Sequence, residues 1–220
     1  MNSKLFSKIL VGVGWVLMTL IALYLSAVTL VYFSFRPDIY FLLAKKEIVN
    51  FVPWRLAFYI HITGGLIALA VGPFQFLEKF RIKRPKFHKT LGKIYVAAIL
   101  LIGAPSGFFM AFFANGGPWA DLGFICMAFM WVLTTWLGLK AILRKDVTTH
   151  VQWMIRSYAM CFAAVTLRLL TPILTLLFHL KISTVLISVA WLSWIINLVF
   201  AQIIIYFKYR KIKYPLKINL

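Results

Sequence analysis

The sequence predicts an all-α fold: a single integral membrane domain of about six transmembrane helices, residues 1–220, with both termini in the cytoplasm. Three observations carry that prediction. Mean hydropathy is +0.91 and 63% of the 220 residues are hydrophobic. Only 13% are charged, about half the share in soluble domains. A soluble fold of this size has no interior large enough to hide so much apolar surface, so lipid must serve as solvent for it. The apolar residues also fall into six long runs, and the basic residues collect between those runs, mostly on one side.

The runs cover about 9–34, 54–77, 90–114, 119–139, 151–178 and 183–207. Each is long enough, at about 1.5 Å per residue, to cross about 30 Å of hydrocarbon with some tilt. The first is too long for a signal peptide and lacks a small-residue cleavage pattern, so it reads as a retained span. A first outer connection of about 35–53 leads to Trp54, expected as an interfacial anchor. Pro105 and Pro172 should kink spans three and five and free backbone carbonyls. Asn115-Gly116-Gly117-Pro118 reads as a tight turn joining spans three and four.

Orientation follows from Lys and Arg in the connections. The N-terminal tail, the segments after spans two and four, and the C-terminal tail (Lys208, Arg210, Lys211, Lys213, Lys217) together hold sixteen. The other connections hold four: Arg36, Lys45, Lys46 and Lys181. The richer side is expected to be cytoplasmic. The net charge of +19 is thus explained by topology and lipid headgroups, and nucleic acid is not an expected partner. Membrane lipids are, with a membrane-complex partner or a second copy of the chain as further expectations.

Several chemistries are excluded. The five acidic residues, Asp38, Glu47, Glu78, Asp121 and Asp146, are scattered and form no carboxylate pair. There is no G-x-S-x-G, HExxH or phosphate-binding loop. Cys126 and Cys161 both fall inside apolar runs, with no CxxC.

Ionisable groups within spans carry the functional information, because lipid disfavours them. His61 lies in the outer half of span two, on a stripe with Ala57, Gly64, Ala68 and Gly72. Small residues at that spacing allow close approach, either of another helix around a satisfied histidine or of a ligand. His88 and His150 open spans three and five at matched depth. They either cap helices at headgroup level or share a metal or a haem iron. Arg168 lies deep in span five, at about the depth of His61, eighteen residues after His150. Eighteen residues are five α-helical turns, so one stripe is expected to run from His150 through Met154, Ser157, Cys161 and Ala164 to Arg168. A polar cavity bounded by His61 and Arg168 is expected in the outer half, with Asp121 and Asn197 as candidate partners. A structural arginine bonded to carbonyls is the alternative. Arg156 is expected to snorkel to the headgroups.

Three motifs then acquire a common meaning. They are His61-x-x-Gly64-Gly65 with Gly72-Pro73-Phe74-Gln75; Arg84-Pro85-x-x-His88-x-x-Leu91-Gly92-x-x-Tyr95; and His150-x-x-Trp153-Met154-x-Arg156-Ser157-Tyr158 ending in Arg168-Leu169. In this order they resemble an uncharacterised bacterial family of predicted membrane proteins, domain of unknown function 2306, over about residues 55–170. Lys89 departs mildly from that pattern, in which arginine is the commoner residue after His88. The resemblance implies a bacterial inner-membrane location and no established activity. A weaker resemblance, to transmembrane b-type cytochromes, rests on histidines on several helices, glycine-rich faces and a basic cytoplasmic edge. It implies at most one bis-histidine haem b.

The functional expectation is a redox role. His88 and His150 would hold a haem or metal, and His61 with Arg168 would contact a quinone or a haem propionate. An anion transporter built on Arg168 and His61, or an accessory subunit of a membrane complex, are the alternatives. Whether the chain is an enzyme is left open by the sequence.

Overall fold

The computed structural model describes residues 3–210. Lys211, Lys213 and Lys217, counted above for orientation, lie outside the described residues. Six helical spans are long and apolar enough to cross a membrane: 12–34, 52–75, 85–111, 118–143, 147–177 and 182–209. They are built from α1 (Ser3–Thr29), α3 (Val52–Gln75), α5 (Pro85–Ala97) with α6 (Ala104–Ala111), α7 (Pro118–Leu143), α8 (Val147–Cys161) with α9 (Ala163–Pro172), and α10 (Ile182–Tyr209). Two short helices lie in the connections: α2 (Tyr40–Leu43) and α4 (Glu78–Lys83). An even number of spans puts residues 3 and 210 on one side, called here the terminal face. Span three starts five residues before the expected 90, because Pro85 occupies the first helical turn, where its missing N–H costs nothing.

The spans are not all continuous α-helix. Span three passes through a π-helical segment, Ala98–Gly103, just before Pro105. Proline has no N–H to donate and its ring crowds the carbonyl four residues back, so a wider turn relieves the conflict. A second π segment, Ile173–Leu177, follows Pro172. Span five also breaks at Phe162, between α8 and α9. At that break the Asn197 side-chain amide of α10 donates to the Ala159 carbonyl at 3.1 Å, and Asn197 accepts from Thr166 at 2.9 Å.

The break redirects span five. Below it, α8 packs closely along α7 and also touches α3; above it, α9 packs along α10 and lightly on α1, with at most marginal contact to spans two, three and four. The stripe expected from His150 to Arg168 therefore holds only in part. Ser157 and Cys161 are buried, whereas Ala164 and Arg168 are exposed at the bundle surface.

A core cluster joins the spans, with Ala22, Leu69, Tyr95, Ile99, Trp131, Tyr158, Val165 and Trp194 among its members. A second cluster seals the face opposite the termini: Tyr32, Leu42, Val49, Trp54 and Phe58. Trp54 is 0% exposed and stacks on Phe58 at 5.7 Å. It is a core residue of this cap, not the interfacial anchor expected, because the 35–51 connection folds back over it. Lys45, also buried, pins that connection by donating to the Phe113 carbonyl and, at 2.6 Å, to Asn115 Oδ1. Asn115 returns a bond to the Ala44 carbonyl. The adjoining turn uses Gly116 and Gly117 at φ of 115° and 79°, which side chains resist.

Candidate functional site

The structure places the polar intramembrane residues in two zones, joined by a tightly packed middle. The first zone is in the half of the bundle away from the termini. His61, on α3, donates from Nδ1 to the Gly103 carbonyl at 2.8 Å. That carbonyl ends the π segment and also accepts from Ser106 at 3.1 Å. A carbonyl only accepts, so Nδ1 carries the proton and, in the neutral ring, Nε2 keeps its lone pair. Trp131 meets the imidazole edge-on, with ring centroids 6.5 Å apart. Gly107 lies directly under the ring: a Cβ there would stand 2.8 Å from Nδ1. The small-residue stripe around His61 is a packing seam as well, since Gly64 sits against the backbone of Ala98 and Gly103.

Arg168 approaches the same zone from α9. Its guanidinium donates to the Ala164 carbonyl of its own helix at 2.9 Å and lies within electrostatic reach of His61 and of Tyr32. No ion pair to Arg168 is found among the described residues. The two partners anticipated for it are engaged elsewhere. Asp121 accepts from the Ala114 amide at 3.1 Å and acts electrostatically on Lys45. Asn197 is committed to the break in span five.

The second zone is at the terminal face. His88 on α5 and His150 on α8 come within electrostatic reach of each other, and both lie near Arg81 of α4. His150 donates from Nδ1 to the Gly138 carbonyl at 2.8 Å, which leaves its Nε2 lone pair free in the neutral ring. His88 Nδ1 and Gln75 Nε2 are buried without a hydrogen-bond partner among the described residues. No group of three or more His, Cys, Asp or Glu is assembled among the described residues. A bare metal ion would thus draw only two protein donors from this pair, whereas a porphyrin-held iron requires only two axial ones.

Between the zones lies a buried hydroxyl cluster that the sequence reading missed. Ser157, 0% exposed, bonds Tyr95 at 3.0 Å and Thr135 at 2.8 Å. Tyr158 donates to the Leu69 carbonyl at 3.2 Å, with its ring over Gly72. Trp131, Gly103 and Gly107 were missed too. The Gly103-x-x-x-Gly107 spacing in span three was the available signal.

Helices of this length and apolarity, with ionisable groups gathered at two depths, define a polytopic integral membrane protein. Its sequence matches the profile described as "Predicted membrane protein (DUF2306)" over residues 58–205. The chain belongs to that family. No curated protein sequence and no solved structure matches it.

Proposed function

We propose that this protein binds a quinone from the bilayer at the margin between spans one and five and serves a redox role in the membrane. One observation carries the reading: the Arg168 guanidinium, inside a span, has a single protein hydrogen bond and no carboxylate partner among the described residues. Such a group costs several kcal/mol in lipid unless something else satisfies it. A quinone carbonyl accepts from a guanidinium and suits apolar surroundings. A quinone also supplies two-electron chemistry coupled to proton exchange. Arg168 would hold the carbonyl oxygen and stabilise negative charge placed on it, while the free Nε2 of His61 would exchange a proton. The packing around Ser157, Tyr95 and Tyr158 closes the bundle below this zone, which favours binding over conduction of an anion.

The test is extraction of the purified protein with organic solvent and chromatography of the extract. Wild-type protein should carry quinone, and Arg168→Ala and His61→Ala should each lose most of it. Equal quinone in all three, or none in wild type after reconstitution with quinone-loaded lipid, would refute the reading.

A second reading is favoured by the convergence of His88 and His150, with His150 held in the tautomer that a haem ligand adopts. Those two residues would supply the axial ligands of one haem b. A reduced-minus-oxidised spectrum of protein made with ample haem tests it. Bands that persist in both His88→Ala and His150→Ala would exclude this pair. The basic bias of the terminal face supports a bacterial inner-membrane protein with cytoplasmic termini. Reporter fusions at either end test that orientation.

A further inference from the structure

The terminal half of the bundle carries a groove of about 360 Å³ on its lipid side, between α7, α8 and α10. Its walls include Met130, Trp194, Leu198 and Val199, and among the described residues its only polar side-chain groups besides the indole N–H atoms are Arg156 and Gln202. Arg156 donates to Gln202 Oε1 at 2.7 Å, and its guanidinium lies over the Trp153 ring, 4.5 Å from the centroid. Among the described residues no carboxylate lines the groove and none pairs with Arg156.

Depth identifies what this pair of groups meets. Span five has 31 residues, about 46 Å by helix rise, and so overshoots about 30 Å of hydrocarbon by about 8 Å at each end. Arg156 is nine residues from the start of α8, about 13 Å in. Its backbone is therefore about 5 Å inside the hydrocarbon boundary. Trp153 lies one turn nearer the terminal face, and stacking on it carries the guanidinium back toward the boundary, where phosphodiesters sit.

The geometry points to a seat for one anionic phospholipid: its phosphate on the Arg156 guanidinium and the Gln202 amide, and an acyl chain along Trp194, Leu198 and Val199. Most of the five guanidinium N–H donors are unspent, and their planar fork matches a phosphate. The apolar residues of the groove suit an acyl chain, and its one charge, that of Arg156, suits a phosphodiester. The site is separate from both polar zones above, and nothing in the quinone or haem readings depends on it.

The test is native mass spectrometry of the full-length protein in detergent supplied with equal phosphatidylglycerol and phosphatidylcholine. Wild type should retain about one more phosphatidylglycerol than Arg156→Ala. Arg156→Lys, which keeps the charge without the fork, should fall between them, and Arg84→Ala, exposed and outside the groove, should match wild type. Equal retention by wild type and Arg156→Ala, no preference for phosphatidylglycerol, or a co-purifying polypeptide released by Arg156→Ala would overturn the proposal. If Arg156→Ala fails to fold, quenching by brominated phosphatidylglycerol decides. It should exceed quenching by brominated phosphatidylcholine in wild type, and the excess should shrink in Gln202→Leu and in a Trp153→Phe/Trp194→Phe variant. An excess unchanged in both would be equally fatal to it.

Discussion

Adding one methyl group to Gly64 should cost stability, whereas adding it to the next residue should not. A Cβ on Gly64 would stand 2.6 Å from the Gly103 nitrogen, 2.7 Å from the Ala98 carbonyl oxygen and 2.8 Å from the Gly103 Cα. All three are backbone atoms, so no rotamer change relieves the clash. Ordinary contact needs about 3.5–4.0 Å, so α3 must back away from the π segment by about 1 Å. Overpacking of this kind costs about 1–3 kcal/mol. The same displacement stretches the His61–Gly103 hydrogen bond one turn away, for about 0.5–1.5 kcal/mol more. Alanine returns about 0.5–1 kcal/mol of helix preference over glycine. Gly64→Ala should therefore destabilise the protein by about 0.5–4 kcal/mol. Gly65 has nothing within 4 Å of its virtual Cβ, so Gly65→Ala should be neutral or stabilising by up to about 1 kcal/mol. Unfolding in mixed micelles by titrated denaturing detergent measures both variants on one scale. If Gly64→Ala proved as stable as Gly65→Ala, the account of close approach at this seam would be wrong.

Three other perturbations separate structural from functional roles. Arg168→Ala should remove most of the retained quinone yet stabilise the empty bundle, by less than the about 3 kcal/mol that an arginine costs at the centre of a spanning helix; destabilisation in the same unfolding assay would instead mark Arg168 as a structural residue. Ser157→Ala leaves the buried Tyr95 hydroxyl without the partner Ser157 gave it, while Thr135 keeps the Trp131 carbonyl, and should cost about 1–3 kcal/mol in thermal unfolding, with Tyr95→Phe milder because the donor leaves with the oxygen. Lys45→Met should loosen the cap and speed proteolysis within 35–51, at about 1.5–3 kcal/mol for a lost charged hydrogen bond. Burial holds the Lys45 amine below its ordinary value of 10.5, with Asp121 pulling it back up. Between that lowered value and 10.5 the unfolded chain binds more protons, so the Lys45 contribution to stability rises with pH across the window; the variant should lack that rise.

The six crossings were legible because lipid imposes one rule on every residue of a span, and hydropathy reports that rule directly. Helix rise also pairs His61 with Arg168 and His88 with His150 by height, and in the structure each pair comes within electrostatic reach. Azimuth was harder to read. The 18-residue spacing from His150 to Arg168 implies a shared face only on an unbroken α-helix, and the break at Phe162 ends that relation. What licenses the break is Asn197, a single amide on another span that meets the Ala159 carbonyl, and no local pattern in span five announces it. Trp54 was misread because its composition suits an interface, while its actual environment depends on a connection folding back over it from residues 35–51. The Tyr95–Ser157–Thr135 cluster draws one hydroxyl from each of three spans, and residues so far apart in sequence give no joint signal.

The π segment at Ala98–Gly103 gives span three an unusual tolerance of length. A wide turn absorbs one more residue than an α-turn does, so the helix on either side keeps the phase of an unbroken helix one residue shorter. Removing one residue from 98–102 would restore the ordinary winding and leave Gly107 facing the His61 ring. The same deletion in the uninterrupted α7 would rotate everything beyond it by about 100°. In this span the wide turn works as an expansion joint, taking up a change of length that elsewhere would become a rotation.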